Sequence, residues 1–322
     1  MLSTAVNAGA PIDPLRVRRL FARPHRLADA EFLRREISLR MQERLALIKL
    51  APTRALDAGC GMGADTLFLQ KRYPTAQIIG LDAALPMLQS AQRVQLAGSS
   101  SLQRWLSRSF PALTQAALGA GAGAGAALAC GDFAQLPLPP LAVDLVWSNL
   151  ALHWSPTPDR VIAEWRRVIA VDGLLMFSCF GPDTMKELRG ASDAVDPAAR
   201  ILPFVDMHDY GDMLVAAGFA TPVMDMETIT VTYTDTAKLL ADVRALGGNP
   251  LATQRRGLTG KQAWREMIDQ LEQLRRADGT IPLTFDIIYG HAFKPVPKVT
   301  ARGESIVRLD FAKKPPASES DR

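Results

Sequence analysis

Cysteine is scarce: Cys60, Cys130 and Cys179 are the only three thiols in 322 residues. An odd, widely spaced set supplies neither a disulfide framework nor a zinc spacing. A reducing cytoplasmic compartment is therefore the expectation. Long apolar runs are missing as well; nothing approaches the roughly 20 residues of a spanning helix. The opening MLSTAVNAGAPIDP has no basic start followed by an apolar stretch, so no secretory leader is read. No cluster of His and Asp resembles a metal site, and no internal repeat is visible.

What is present is the composition of a water-soluble α/β protein, 48% hydrophobic and 22% charged. The net charge of +4 is compatible with an anionic partner and decides little alone. Neither a nucleic acid nor a membrane is expected as partner.

Residues 1–14 read as a flexible lead and 15–50 as a basic helical cap. In the cap Phe32, Leu33, Ile37, Leu39, Met41, Leu45 and Ile48 recur at helical intervals, and Pro24 interrupts the pattern near its start. Strands and helices then alternate over 51–180: strands at 55–58, 77–82, 144–149 and 173–180, with helical stretches between them. That alternation predicts a mostly parallel sheet covered on both faces. Residues 98–128 break it with a Ser-rich start and an Ala/Gly tract, read as an insertion with one short helix around Trp105. The part from 181 to 312 has strand character in TITVTYT and LTFDIIYGHAF. The polar tail 313–322 is expected to be disordered.

The stretch LDAGCGMGADTLFLQ sets Asp57, Gly59, Gly61 and Gly63 between a strand and a helix. A phosphate-binding P-loop is excluded, because no Gly-Lys-Ser/Thr follows. The glycines alone also fit a dinucleotide fingerprint through Gly59, Gly61 and Ala64. Acidic residues narrow the choice. Asp82 closes the second strand, at the separation from which a carboxylate reaches ribose hydroxyls, although a helix cap is its competing role. Asp132 follows the insertion, where it can accept from an adenine amino group or cap a helix, and Phe133 can cover the ring. Asn149 ends the fourth strand.

These motifs, LDAGCGMG, IIGLD, CGDFAQLPL and DLVWSNLALHW, resemble the class I S-adenosylmethionine-dependent methyltransferases. The resemblance implies a Rossmann-like seven-stranded sheet of order 3-2-1-4-5-7-6, an N-terminal helical cap, an inserted substrate subdomain, and S-adenosyl-L-methionine as cofactor. Asp57, Gly59, Gly61, Gly63, Asp82, Asp132, Phe133 and Asn149 become the candidate cofactor residues.

The methyl acceptor is read from the rest. Asn149-Leu150-Ala151-Leu152 is not the Asn-Pro-Pro-Tyr of base amino methylation, and no Pro-Cys nucleophile is present. SNLALHW, FGPDTMKELR, FVDMHDYGDMLVAAGF and LTFDIIYGHAF are similar to the malonyl-acyl-carrier-protein O-methyltransferase family. That resemblance implies methylation of a malonyl carboxylate on an acyl carrier protein, early in biotin synthesis. FLRREISLRMQERL and the DT-x-x-ELR of residues 183–189 also resemble the mitochondrial complex I assembly-factor methyltransferase-like family. This keeps open a protein arginine hydroxylase-like reading, or a binding protein without catalysis.

A carboxylate nucleophile is already ionised at neutral pH and needs no general base. Arg189 is the first candidate to hold it, against a salt bridge with Glu187 or Asp193. His153 and Trp154 are expected to wall the cleft, and Tyr289 and His291 to close its substrate side or pack in the core. His208 is expected to cap or pack around the helix that follows it. Arg16, Arg18, Arg19, Arg23, Arg26, Arg34 and Arg35 offer a basic face to an acidic carrier, or simply to solvent.

Overall fold

A computed structural model describes residues 11–27, 30–98, 126–195, 202–251 and 260–297. Helices α1 (Pro14–Phe21), α2 (Pro24–Leu27) and α3 (Glu31–Ala46) precede the sheet. Strand β1 (Arg54–Ala58) leads to α4 (Ala64–Arg72), and β2 (Gln77–Asp82) to α5 (Leu85–Gly98). Beyond the insertion come β3 (Ala127–Cys130), β4 (Val143–Asn149), α6 (Pro158–Val168) and β5 (Ile169–Phe180). The remainder is α7 (Lys186–Val195), α8 (Met207–Ala217), β6 (Ala220–Tyr233), α9 (Thr236–Ala245), α10 (Lys261–Gln273) and β7 (Ile281–Phe293).

The strands form one sheet of order β3-β2-β1-β4-β5-β7-β6, as the family resemblance implied. β1 pairs in parallel with β2 and with β4, whereas β7 runs antiparallel to both β5 and β6. The chain winds outward from β1 through β2 to β3, then crosses back to β4. The loops after β1 and β4 therefore diverge, and a crevice opens at their C-terminal ends. β4 and β5 are near-continuous apolar runs because both of their faces are covered.

Helix α3 shows how the cap is held. Leu33, Ile37, Met41 and Leu45, each four residues apart, are at most 1% exposed and pack on the sheet with Trp147, Met176 and Tyr289. Each such side chain contributes roughly 1.5–3 kcal/mol of burial. Phe32 and Leu39, placed in the same pattern from the sequence, lie off this stripe and stand 44% and 48% exposed. On the opposite face of the sheet, Trp165 of α6 and Tyr210 of α8 pack against Phe177 and Val146.

Several boundaries move. The lead expected over 1–14 is anchored at its end: Ile12 is buried, bridges to Leu251, and packs near Trp154. Asp13 then caps α1, accepting from the N–H of Leu15 at 2.9 Å. The insertion overlaps α5 at residue 98 and β3 at 127–128; its expected helix around Trp105 lies outside the described residues, as does the 313–322 tail. β5 starts at Ile169 and β6 at Ala220, earlier than the apolar pattern suggested. β6 is a sheet edge whose residues largely alternate in exposure, so Asp225 and Glu227 are accommodated within it. The segment added between β6 and β7 returns to the crevice: a Cβ on Gly247 would stand 2.7 Å from the Trp154 ring.

Candidate active site

A cavity of about 250 Å³ fills the crevice. One wall is the turn after β1. The N–H groups of Gly59 and Cys60 donate to the Leu81 carbonyl at 2.8 and 3.0 Å, pinning the turn to the end of β2. Gly59, at φ +81°, passes so close to Ala151 that an added Cβ would clash at 2.4 Å. Gly61, at φ +53°, faces open space; a Cβ there would meet only the Met87 methyl, at 4.0 Å. Backbone is thus exposed to whatever enters the cavity.

Asp82 fixes the neighbouring corner. Its carboxylate accepts from Gly61 N at 3.0 Å and from Ala84 N at 2.8 Å. It joins the turn to the entry of α5 and also lines the cavity. Burial raises its pKa, and the two amides and Arg34 oppose that rise.

The turn after β4 forms the floor. Asn149 donates to Asp65 Oδ2 at 2.9 Å and to the Arg34 carbonyl at 3.2 Å, and its Oδ1 accepts from Ser178 Oγ at 2.9 Å. Leu150 follows with φ +51°, its N–H bonded to the Ser178 carbonyl at 3.1 Å. Trp154 is 9% exposed, lines the cavity, and meets Phe21 of α1 edge-on at 5.3 Å between ring centres. Phe133 lines the far end, its ring centre 6.1 Å from that of Trp165.

The third wall is the N-terminal cap, which supplies Arg18, Arg34 and Arg35. The Arg34 side chain is 19% exposed and stands 3.6 Å from Glu31. Burial lowers its pKa, and Glu31 and Asp82 oppose that. Asp65 also lines the cavity and accepts from Ser38 Oγ of α3. Burial raises the Asp65 pKa against the hydrogen bonds of Ser38 and Asn149. The sequence reading missed Asp65 and Glu31 as site residues. Asp65 sits one position into α4, directly after the glycine turn, and that placement was its only signal. Arg34 had been counted among the basic residues without a place in the site.

Seven residues nominated from the sequence do not line this cavity; one of them, His291, sits within β7, opposite Met176 and Val223. Asp57 is 1% exposed beneath the turn, and its carboxylate accepts from Thr66 Oγ1 at 2.6 Å, which clamps α4 to β1. Gly63 serves packing: a Cβ there would come within 2.9 Å of Ala91 in α5. Asp132 is exposed and closes a local turn through Ala134 N at 2.8 Å. His153 lies behind Trp154 among Phe180 and Phe204, with Nδ1 accepting from Phe180 N at 3.4 Å. Burial, reinforced by Arg34, holds its pKa down at about 3, so the ring is neutral. Tyr289 is in the core, its ring under the Arg44 guanidinium at 3.9 Å. Arg189 donates to the Thr184 carbonyl at 3.1 Å and makes no ion pair among the described residues; its expected partner Glu187 accepts instead from Thr284 N at 2.9 Å. Position in the chain put these side chains near the sheet's active end, but packing turned them elsewhere. His208 is exposed in the first turn of α8, which Asp206 caps.

The cavity thus combines exposed backbone, the Asp82 carboxylate, the Phe133 ring and charges of both signs at Asp65 and Arg34. A family described as "Methyltransferase domain" matches residues 56–177. A Gallionella capsiferriformans protein named malonyl-[acyl-carrier protein] O-methyltransferase is 43% identical, over 93% of this chain and 97% of the relative. A Laribacter hongkongensis protein of the same name is 45% identical, over 88% and 90%. Among solved structures, a putative methyltransferase of Bacillus halodurans superposes with a TM-score of 0.53 at 16% identity, covering 80% of this chain and 99% of that one. The YcgJ protein of Bacillus subtilis gives 0.52 at 16% identity, over 81% and 99%; both show the fold alone. S-Adenosylmethionine is the methyl donor, and the chain belongs to the malonyl-[acyl-carrier protein] O-methyltransferase family of S-adenosylmethionine-dependent enzymes.

Proposed function

We propose that the enzyme methylates the free carboxylate of a malonyl group borne on an acyl carrier protein. The observation that carries this reading is one cavity with two unlike walls: a backbone turn and Asp82 on one side, and Arg18, Arg34 and Arg35 on the other. When bound, S-adenosylmethionine supplies a methyl group on a positively charged sulfur. Gly61 leaves the backbone open to it, Asp82 offers carboxylate lone pairs to the ribose, and Phe133 covers the adenine end. Asp65 and Arg34, both lining the cavity, offer charges of opposite sign to a zwitterionic amino acid. Arg18 and Arg35, more exposed and nearer the mouth, receive the acceptor carboxylate.

The reaction asks little acid–base work of the protein. The acceptor is ionised at neutral pH, and one of its oxygens forms the new bond to the methyl carbon. The carbon–sulfur bond breaks, its electron pair stays on sulfur, and opposite charges cancel. Water stabilises the separated charges of the ground state, so a dry site speeds the step. Phe21, Leu39, Met87 and Trp154 supply that apolar lining. His153, neutral and outside the cavity, takes no part in the step.

Transfer of labelled methyl from S-adenosylmethionine to malonyl-carrier tests the reading, with acetyl-carrier, which lacks the free carboxylate, as control. Label confined to the malonyl form, as an ester, is the expected result. No label on malonyl-carrier, together with hydroxylated arginine in a co-purified protein, would replace it with the hydroxylase-like reading.

A further inference from the structure

Helix α1 has two working faces. Val17, Arg18 and Phe21 look into the cofactor cavity. Arg16, Arg19 and Leu20 on its other side, with Arg23 just past its end, look into a second cavity of about 620 Å³. Arg26 of α2 and Arg244 of α9 complete its rim, so five arginines, four from three helices and Arg23 from the link between α1 and α2, surround one space. Leu20, Leu27 and Ala245 make its apolar floor, and no acidic residue lines it among the described residues.

Asp13 reaches only Arg16, at 3.7 Å, and Arg16 also donates to the Leu251 carbonyl. Arg244 lies 5.5 Å from the Trp264 ring centre, a contact that does not neutralise it. Arg19, Arg23, Arg26 and Arg244 have no ion pair among the described residues. Like charges gathered around a concavity repel one another unless an anion joins them. The guanidinium fork matches phosphate oxygens in particular.

The methyl donor carries no phosphate and has its own cavity. The acceptor carboxylate belongs beside Arg18 and Arg35. The second cavity is thus left for a different anion. It adjoins the first: Gly248 lines it, while the preceding Gly247 touches Trp154 and Phe21 of the cofactor cavity. Helix α1, about 10–12 Å across with its side chains, contributes residues to both.

We propose that this arginine cavity binds the phosphodiester joining the acceptor's thioester-bearing arm to its carrier. The arm crosses α1, with its phosphate held by Arg19, Arg23, Arg26 and Arg244 and its malonyl end beside Trp154. The inference rests on the malonyl-carrier reading, and its test separates the two.

Three acceptors are compared at one ionic strength: malonyl-pantetheine, malonyl-phosphopantetheine and malonyl-carrier. The proteins are wild type, Arg23→Gln and Arg244→Gln, both substitutions being on exposed side chains, with melting curves to verify folding. Wild type should prefer the phosphorylated arm in kcat/KM by about 10-fold or more, the size of one or two charge-assisted hydrogen bonds. In each variant that preference should collapse toward one, with kcat/KM for malonyl-pantetheine unchanged. A preference that survives in both variants overturns the proposal. So does a loss seen only with the complete carrier, which would make the arginines a surface for the carrier's acidic side chains. Failure of wild type to methylate any malonyl thioester strikes at the acceptor reading instead. Calorimetric binding of phosphopantetheine against pantetheine then decides the cavity without turnover, and equal affinity for the two overturns it.

Discussion

One wall of the cofactor cavity is main chain and the other is side chain. The turn at residues 59–63 presents backbone held by the end of β2, and its shape follows from glycine conformations. The cap presents Arg18, Arg34 and Arg35, whose positions depend on α1 and α3 docking onto a sheet formed later in the chain. Burial of Leu33, Ile37, Met41 and Leu45 holds α3 in place, so the charge facing the ligand depends on a hydrophobic stripe on the helix's other side. The main-chain wall should be intolerant of added atoms, and the side-chain wall sensitive to lost charge.

The largest effect is expected on the main-chain wall. Gly61→Val puts a branched side chain into the space the ligand needs, at a φ that valine resists. S-Adenosylmethionine binding should weaken by more than about 100-fold while the fold persists. Calorimetric titration with unchanged affinity would remove this turn from the site.

Next come the charged contacts, tested as pairs. Asp82→Ala should weaken cofactor binding on the order of 10- to 100-fold, the worth of charge-assisted hydrogen bonds to a diol. It should also lower the melting temperature, because the amides of Gly61 and Ala84 lose their acceptor. Normal affinity with early melting would reduce Asp82 to a cap. Asp57→Asn keeps an acceptor for Thr66 and should change affinity by less than about threefold, since polar groups are costly only when left unpaired.

On the side-chain wall, Arg34→Ala should cost cofactor affinity about 10-fold or more, and Arg34→Lys should restore part of it, because the charge returns without the planar fork. Arg189→Ala should leave both cofactor affinity and methyl transfer within about threefold, as its guanidinium serves the Thr184 carbonyl. A severe loss of transfer in Arg189→Ala, with normal melting, would reinstate it as the acceptor anchor.

The smallest effects are on stability against pH, and they have opposite signs. His153 has its pKa depressed to about 3, so below the ordinary histidine value of 6.5 the unfolded chain gains a proton that the folded chain refuses. Stability present above that value is lost as pH falls from 6.5 toward 3, and His153→Phe should flatten the loss. Asp57 is raised well above the carboxylate range by burial, with the nearby Asp65 adding to the rise. The unfolded chain ionises it first as pH rises, so its contribution is intact below the ordinary aspartate value and declines above it. The melting temperature of Asp57→Asn should therefore gain on wild type as pH increases from about 4. Identical melting profiles for a variant and wild type would show its residue titrates alike in both states.

How far the site could be read in advance divides along the same line. The glycine turn and Asp82 are legible because β1 and β2 adjoin in sequence and their C-terminal ends face the ligand in any fold wound this way. Asn149 is legible for the same reason, one strand across the switch point. Asp57 and Gly63 share that motif yet lie beneath it, since a turn needs supports as well as contacts, and a string of letters does not separate the two. Arg189, His153 and Tyr289 were placed by proximity to strand ends. Which way each side chain points depends on α3, α7 and β7 packing together.

The sequence by itself determined the strand and helix alternation, the left-handed glycine turn and the acidic strand end, because these follow from local backbone sterics and short-range periodicity. Through family resemblance it also carried the order of the sheet. Tertiary structure alone decided that Asp65 and Arg34 line one cavity, and that α1 sends alternate arginines into two separate cavities. Those placements depend on contacts between residues far apart in the chain, such as Ile12 with Leu251 and Gly247 with Trp154. Only the packed core fixes such distances.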